Sequence, residues 1–209
     1  MNEPVLDILF VLGGYFFGGI MFSDIFPRVF MKKDIKSLSD DKNPGASNVF
    51  KICGVPMGIL CLFLDMAKGF LPVFLFMLLG GTESFVFSLV LISPVLGHAA
   101  SPYYRFHGGK CIATAAGEAI ALLPHTRVGL VIIASYLLFS LVIKLKSHRL
   151  RSIITFGIFG ILALIANIIE GNIPTAVGYF VMSAIVVIKH LIKAEEKAGI
   201  EAEKIEETV

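Results

Sequence analysis

The sequence predicts an all-α integral membrane protein with about seven transmembrane helices. Its mean hydropathy is +0.83, and 56% of its 209 residues are hydrophobic while only 16% are charged. These values lie far from those of soluble domains. Apolar stretches long enough to cross a bilayer recur along the chain, and Lys and Arg concentrate in alternate connections between them. Composition and charge pattern therefore predict the same fold class.

The apolar stretches define the predicted spans. There are seven, at residues 5–22, 54–79, 84–100, 112–123, 128–143, 152–169 and 175–188. The fourth is short, which favours a half-span or a tilted helix. The N-terminus lacks the basic region of a cleaved signal peptide, so the first span is predicted to be retained. We predict one membrane domain over residues 1–193 and a charged, helical cytoplasmic tail over residues 194–209.

The positions of the 18 Lys and Arg residues predict the orientation of the spans. Most of them lie between spans one and two, three and four, or five and six, or follow span seven. The connections at residues 80–83 and 170–174 carry none, and residues 124–127 carry one. Because positive residues favour the cytoplasmic side, the N-terminus is predicted outside and the C-terminus in the cytoplasm. An odd number of spans agrees with this orientation.

A polar, basic segment at residues 106–114 stands out in this apolar chain. Gly108 and Gly109 allow the backbone to approach a ligand closely, and Lys110 supplies a cation. The small residues that follow predict a helix start, whose free N–H groups attract anions. Thr114 would lie one turn further along on the same face. The segment therefore predicts a phosphate site at a membrane surface.

Other chemistries are disfavoured by what the chain lacks. Tyr104 and Cys111 stand where a nucleotide-binding P-loop needs Gly and Ser or Thr, so nucleotide hydrolysis is not expected. The three cysteines show no Cys-x-x-Cys spacing and are predicted to be buried and inert. The histidines lack ligand spacing, so no metal is expected. No nucleic-acid partner is expected either.

The first cytoplasmic loop carries a polar cluster just before span two. Asn43 and Gly45 favour a turn, and Ser47 and Asn48 offer hydrogen-bond donors and acceptors. Lys51 adds a cation. A ligand-binding loop and a hydrophilic connector that ends in a helix cap both fit this pattern.

Span two contains two charged residues, Asp65 and Lys68. Ionised groups in a span cost about 2.5–3.5 kcal/mol each on insertion scales. At positions i and i+3 they share a helix face and can offset each other. Intramembrane charge indicates function by default, although a structural ion pair between helices fits nearly as well.

Polar residues at the ends of spans three, six and seven complete the candidates. His98 closes span three, where a helix cap is the alternative to a functional role. Arg149 precedes span six, where a basic residue also serves orientation. Ser152 and Thr155 can face one side of that span, although such hydroxyls often bond to their own backbone. His190 follows span seven at once, where an interface anchor is the simpler interpretation.

The order of these motifs resembles the bacterial acyl-phosphate:glycerol-3-phosphate acyltransferases, the PlsY family. The matching segments are Asn43-Pro-Gly-Ala-Ser-Asn48, Asp65-Met-Ala-Lys-Gly69, Gly97-His98, Gly108-Gly-Lys-Cys-Ile-Ala-Thr114 and, less closely, Arg149-x-x-Ser152-x-x-Thr155. The resemblance covers nearly the whole chain. It implies seven spans with the C-terminus inside, in a bacterial cell membrane, with the active face towards the cytoplasm.

The resemblance also implies an activity. The family transfers a fatty acyl group from acyl phosphate to the 1-hydroxyl of glycerol 3-phosphate, which gives lysophosphatidic acid for phospholipid synthesis and needs no cofactor. Acyl phosphate and glycerol 3-phosphate are thus the implied substrates, with membrane lipid around the acyl chain. Because phosphate is a good leaving group, positioning and charge stabilisation could supply most of the rate.

The family motifs imply roles for individual residues. A phosphate would be held by Gly108, Gly109 and Lys110. The substrate phosphates would be oriented by Asn43, Ser47, Asn48 and Lys51. Hydrogen bonds around the acyl carbonyl would come from Ser152, Thr155 and His190. The catalytic candidates are accordingly Lys110, Ser152 and His190, and the further substrate-binding candidates are Gly45, Asp65, Lys68, His98, Thr114 and Arg149.

Several residues depart from the family pattern. A Gly-Ser-Gly before Asn43 is replaced by Asp40-Asp-Lys42, and carboxylates are poor neighbours for phosphate. Lys51 stands where Arg is usual, which keeps the charge without the bidentate fork. Further differences lie at Gly19, Ala100, Ser101, Cys111 and Lys193. The alternative is therefore a non-catalytic or altered-specificity paralogue that binds a phosphorylated lipid or metabolite. A transporter is a weaker third interpretation, since no pair of interrupted spans marks a repeat-related site.

Overall fold

The computed structural model describes residues 3–143, 145 and 147–206, and within these residues every regular element is helical. The predicted all-α fold class is therefore confirmed. The α-helices are α1 (Glu3–Gly19), α2 (Phe22–Met31), α3 (Ile35–Leu38), α4 (Ala46–Cys53), α5 (Val55–Leu78), α6 (Val86–Ala99), α7 (Ile112–Ala121), α8 (Leu130–Leu137), α9 (His148–Ile169) and α10 (Ile173–Glu206). Short 3₁₀ turns lie at Gly81–Glu83, Pro102–Tyr104 and Arg127–Gly129, and a π-helical segment lies at Leu138–Val142.

Four or five helical segments of the described chain are long and apolar enough to cross a membrane. The four are Val55–Leu78, Val86–Tyr104, His148–Ile169 and Ile173–Ile192, and the fifth is the pair Pro4–Gly19 and Phe22–Met31, bent by 44°. The helix Ile112–Ala121 is as short as the sequence indicates. The predicted span at residues 128–143 is divided among a 3₁₀ turn, α8 and the π-helical segment. The span count of seven thus stays a prediction.

The break between α1 and α2 exposes carbonyl oxygens that the next residues of a continuous helix would have bonded. Two side chains from distant elements bind them. Ser101 Oγ donates to the Gly19 carbonyl at 2.6 Å, and Lys68 Nζ donates to the Ile20 carbonyl at 2.6 Å. Because a polar backbone group inside a membrane must find a partner in the protein, these contacts make the bend tolerable.

The helices pack as a bundle in which α1 lies against α6, α5 against α7, and α10 against both α6 and α9. The α5–α7 contact depends on a small residue, because a Cβ on Gly69 would collide with the carbonyl oxygen of Thr114. Small residues of this kind let helix backbones approach closely in membranes. This contact brings the segment after Lys110 against span two.

The apolar side chains divide into an inner set and an outer set. Phe87, Leu91 and Phe159 are fully buried between helices, whereas Phe63 is 66% exposed and Ile169 79% exposed. Exposed apolar side chains of this size on long helices match a surface that faces lipid rather than water. The tail expected beyond residue 193 continues α10 without a break to Glu206.

Candidate active site

A cavity of about 610 Å³ opens between the loop before α4, the helices α4 and α5, and the start of α7. Its lining combines polar and charged residues, most of them from the loop before α4 and from α4, with apolar residues, most of them from α5 and α7. Eight of the residues predicted from the sequence line it: Asn43, Gly45, Ser47, Asn48, Lys51, Asp65, His98 and Lys110. The structure therefore brings the loop before α4, α4 itself and the Gly-Gly-Lys segment together around one space.

An ion pair lies among the polar lining residues of this cavity. Lys110 Nζ is 2.6 Å from Asp41 Oδ2, and the two side chains are 20% and 26% exposed. Burial alone would raise the pKa of Asp41, but hydrogen bonds from Lys110 and Asn48 and the lysine charge outweigh it, so that the pKa lies below its ordinary value. Asp41 is therefore a carboxylate at neutral pH and a direct partner of the lysine.

The loop that carries Asp41 is folded back on α4. Asn48 Nδ2 donates to Asp41 Oδ1 at 2.8 Å and to the Asn43 carbonyl at 2.8 Å. The Asn43 backbone N–H also donates to Asp41 Oδ1 at 3.3 Å. These bonds order the loop, since they join its two ends through one amide side chain. They also leave Asp41 Oδ2 for Lys110.

The two glycines before Lys110 let this segment lie against α6. The Gly109 N–H donates to the His98 carbonyl at 3.0 Å. A Cβ on Gly108 would collide with that carbonyl oxygen, and one on Gly109 would collide with His98 Nε2. Gly108 and Gly109 are not among the residues that line the cavity. Close packing against His98 thus accounts for both glycines, and their contact with a phosphate stays a prediction.

His98 itself is 4% exposed and lines the cavity. Its Nδ1 has no hydrogen-bond partner among the described residues. A histidine that only capped α6 would lie at the surface and bond a helix carbonyl. The burial and the unused ring nitrogen make His98 part of the cavity wall.

Cys111 and Thr114 follow Lys110 and are buried, and of the two only Cys111 lines the cavity. Cys111 adopts a left-handed backbone with φ 64°, a conformation that costs a non-glycine residue roughly 1–2 kcal/mol. Burial raises the pKa of its thiol to about 12, which agrees with the inert thiol that we expected. Thr114 Oγ1 is buried without a hydrogen-bond partner among the described residues, and Thr114 is not a lining residue. The helix α7 begins at Ile112, close to where the small residues indicate.

Asp65 and Lys68 form a buried ion pair inside span two. Lys68 Nζ is 2.9 Å from Asp65 Oδ1, and their side chains are 0% and 2% exposed respectively. Ser23 Oγ donates to Asp65 Oδ2 at 2.6 Å, and Lys68 also bonds the Ile20 carbonyl. Asp65 lines the cavity whereas Lys68 is not among its lining residues. The sequence left open a functional role and a structural ion pair. Because, among the described residues, Lys68 bonds only within the helix bundle and does not line the cavity, the structural role fits Lys68 better.

The residues predicted around span six and His190 do not line the cavity. Ser152 and Thr155 are both buried, as their shared helix face indicates, and Ser152 Oγ donates to the His148 carbonyl at 2.9 Å. His190 Nδ1 contacts the Val186 carbonyl at 2.8 Å, and its Nε2 has no hydrogen-bond partner among the described residues. Arg149 is exposed. Among the described residues, the polar side chain that α9 contributes to the cavity is His148.

Sequence reasoning missed His148 and the apolar lining of the cavity. His148 is the first residue of α9, where the hydroxyl of Ser147 accepts a hydrogen bond from the Leu150 N–H at 3.2 Å and caps the helix. The start of the helix decides which residue faces the cavity, and the signals in the sequence were the N-cap residue Ser147 and the basic context of the segment. The apolar lining residues are Ala46, Phe50, Leu62, Met66, Cys111, Ile112, Ala113 and Ala116.

The two kinds of wall define what the cavity can hold. Lys51 and Lys110, with amides and hydroxyls between them, provide donors for an anion. The apolar residues of α5 and α7 provide a surface for a hydrocarbon chain. No group of three or more His, Cys, Asp or Glu residues suited to a metal occurs among the residues that the structure describes. The geometry therefore fits an amphiphile with an anionic head.

Comparisons with known proteins identify relatives of this chain. The family model of glycerol-3-phosphate acyltransferase matches residues 8–196. A glycerol-3-phosphate acyltransferase of Staphylococcus aureus (strain JH9) is 33% identical over 194 residues, which are 89% of this chain and 91% of that protein. One of Lawsonia intracellularis (strain PHE/MN1-00) is 32% identical over 118 residues, which are 56% of this chain and 59% of that protein. A crystal structure of PlsY, an integral membrane glycerol 3-phosphate acyltransferase in its glycerol 3-phosphate form, has a TM-score of 0.76 and 26% identity, and covers 90% of each chain.

Proposed function

This chain belongs to the glycerol-3-phosphate acyltransferase family, and we propose that it transfers a fatty acyl group from acyl phosphate to glycerol 3-phosphate in a membrane. The observation that carries the proposal is the cavity whose lining joins Lys110 and polar groups of the first cytoplasmic loop to apolar residues of α5 and α7. The reaction needs both surfaces, because the acyl donor joins a hydrocarbon chain to a phosphate.

The reaction breaks the bond between the acyl carbon and the phosphate oxygen and forms an ester bond to the glycerol hydroxyl. The phosphate leaves with the electron pair of the broken bond, and the hydroxyl proton passes to phosphate or solvent. Lys110 would balance the charge that grows on the leaving phosphate. Asn43, Ser47 and Asn48 would orient the phosphate groups, and Lys51 would add a second cation at the exposed side. Holding both substrates in one cavity supplies the proximity that such a displacement needs.

We also propose roles for further residues, which the resemblance to the family implies. His98 and Asp65 lie on the cavity wall and would contact substrate. Ser152, by donating to the His148 carbonyl, would act through the start of α9 rather than by direct contact. Thr155 and His190 would complete the hydrogen bonds near the acyl carbonyl, and Arg149 would attract anions from the surface.

We also propose the finer topology that the sequence predicts. Seven spans would arise if α7 and the α8 region count as short spans, with the N-terminus outside and the C-terminus in the cytoplasm of a bacterial cell. Supporting this, the cavity is built from the two basic loops before α5 and α7. Labelling of single cysteines by a membrane-impermeant reagent in intact cells tests it. A cysteine at exposed Lys42 should label only after the membrane is opened, whereas one at exposed Gly171 should label directly.

One observation favours the alternative of a non-catalytic paralogue. Asp41 already satisfies Lys110, so the main phosphate cation is neutralised by the protein itself. Such a protein would bind a phosphorylated lipid or metabolite without turning it over.

An assay with purified protein in detergent micelles distinguishes the two functions. The enzyme should release phosphate from acyl phosphate and form lysophosphatidic acid only when glycerol 3-phosphate is present. A relative of known activity, assayed in parallel, controls for the substrate preparation. Binding of glycerol 3-phosphate without phosphate release would establish the alternative.

A further inference from the structure

Asp41 holds the same groups that a phosphate would be expected to use. Its Oδ2 lies 2.6 Å from Lys110 Nζ, and its Oδ1 accepts from Asn48 Nδ2 at 2.8 Å. A lysine ammonium and an amide N–H are typical donors to phosphate oxygens. Asp41 also lines the cavity with both partners. The carboxylate is thus placed as an anion already bound at the site.

The position is half-buried, which strengthens the pair. Side chains that are 20% and 26% exposed interact in a lower effective dielectric than surface ions. The low pKa of Asp41 keeps it ionised at neutral pH. A second anion at the same ammonium repels the carboxylate, which favours exchange of the two anions over sharing.

We propose that Asp41 is an internal counter-anion of the phosphate subsite, which a substrate phosphate must displace from Lys110 and Asn48 in order to bind. The proposal rests on the proposed function in that the displaced position belongs to a substrate phosphate. Asp41 is then a determinant of substrate affinity. It weakens phosphate binding and keeps the empty cavity free of adventitious anions.

The two carboxylate oxygens have different partners, which makes the proposal testable by a substitution of equal size. Oδ1 accepts from the amide of Asn48 and the N–H of Asn43, whereas Oδ2 faces Lys110. Asp41→Asn keeps an acceptor for the loop bonds and replaces the oxygen at Lys110 by an NH₂ group. The loop is retained and the lysine is released.

The matched control is Asp40→Asn. Asp40 is exposed and next in the chain, so this variant makes the same change of net charge without touching Lys110. Asp41→Ser serves as a second variant if the asparagine disturbs the loop, because a serine stands there in the family pattern. Thermal unfolding in micelles shows whether each variant is folded.

Steady-state kinetics and direct phosphate binding form the experiment. We expect Asp41→Asn to lower two quantities by about 5-fold: the KM of one phosphate substrate and the Kd of inorganic phosphate measured by calorimetry. The reason is that phosphate no longer has to displace a charged carboxylate from Lys110. Asp40→Asn should change neither by more than about 2-fold, since exposed charges are screened. The substrate whose KM falls, acyl phosphate or glycerol 3-phosphate, is the one whose phosphate meets Lys110.

The outcomes separate this proposal from the proposed function. If the wild-type protein does not turn over acyl phosphate, the proposed function fails. The Kd of inorganic phosphate, compared between the wild type and Asp41→Asn, still tests whether Asp41 competes with phosphate. If the wild type is active and both Asp41→Asn and Asp41→Ser have the KM and Kd values of the wild type, the counter-anion proposal is overturned and the proposed function stands. A lower kcat with a raised KM also overturns it, because Asp41 would then position Lys110 for catalysis.

Discussion

The described part of the chain contains two carboxylate–ammonium pairs of similar length that differ in burial and in position. Asp65 and Lys68 lie 2.9 Å apart on one helix and are essentially inaccessible to solvent, whereas Asp41 and Lys110 lie 2.6 Å apart across two loops and are about a quarter exposed. The first pair has further partners at Ser23 and at the bend after α1.

The difference in burial indicates which of the two ammonium groups can exchange its carboxylate for another anion. A fully buried pair has lost its hydration and holds together because removal of either ion would leave the other uncompensated. A partly exposed pair keeps solvent access, so an incoming anion can reach the ammonium and take the place of the carboxylate. We therefore expect the buried pair to serve mainly the scaffold and the partly exposed pair to serve substrate binding, although both border the same cavity through Asp65 and Asp41.

The largest effect is expected where the buried pair is broken. Asp65→Asn leaves the Lys68 ammonium buried without its counter-ion and should lower the free energy of unfolding by about 3–5 kcal/mol. Unfolding of the purified protein in mixed micelles, followed by circular dichroism, measures it. The double variant Asp65→Asn with Lys68→Met should recover much of the loss. A single variant as stable as the wild type would show that the pair is not part of the scaffold.

In the partly exposed pair of Asp41 and Lys110, removal of the cation should reduce turnover rather than stability. Lys110→Met should lower kcat/KM about 10²- to 10³-fold, as loss of one charge-stabilising donor does in other active sites, while stability changes little. Lys42→Met, at an exposed position next to Asp41 in the loop before α4, is the matched control and should keep near-normal turnover. Near-normal turnover in Lys110→Met would show that the phosphate cation is misassigned.

The two pairs also show what the sequence can predict and what it cannot. Spacing places Asp65 and Lys68 on one helix face, and their pairing follows. The partner of Lys68 at Ile20, however, is 48 residues away and exists only because α1 bends there. Likewise, the polar loop and the Gly-Gly-Lys motif predict a phosphate site, but pairing between Asp41 and Lys110 depends on how two distant loops fold against each other.

The same reasoning applies to the spans and the cavity wall. Long apolar stretches such as Val55–Leu78 are evident from hydropathy. The division of residues 128–143 into a turn, α8 and a π-helical segment leaves no comparable trace in composition. His148 enters the cavity and its neighbour Arg149 does not, because the cap at Ser147 sets the rotation of α9. Side-chain direction is thus decided by local helix starts that residue type alone does not encode.

A smaller effect is expected where the scaffold joins the binding site. Gly69, next to Lys68, lies against the carbonyl of Thr114, so Gly69→Ala forces α7 away from α5. Overpacking of this size costs about 1–3 kcal/mol, and it should raise the KM of the phosphate substrate because Lys110 precedes α7. The control is Gly157→Ala, at a helix position with no atom near the added methyl group. If both variants melt at the wild-type temperature, the close contact is not required.

The smallest effects should come from the donors that support each carboxylate. Ser23→Ala removes the buried donor to Asp65 and should cost about 1.5 kcal/mol of stability, because the hydrogen bond is made to a charged group. Asn48→Ala removes a partly exposed donor to Asp41 and should cost less than about 1 kcal/mol, yet it should change the affinity for phosphate. The free energy of unfolding and the Kd of phosphate are measured for both variants. Ser23→Ala should change mainly the former and Asn48→Ala mainly the latter. If Ser23→Ala alters phosphate affinity while Asn48→Ala does not, the assignment of one pair to the scaffold and the other to the site is reversed.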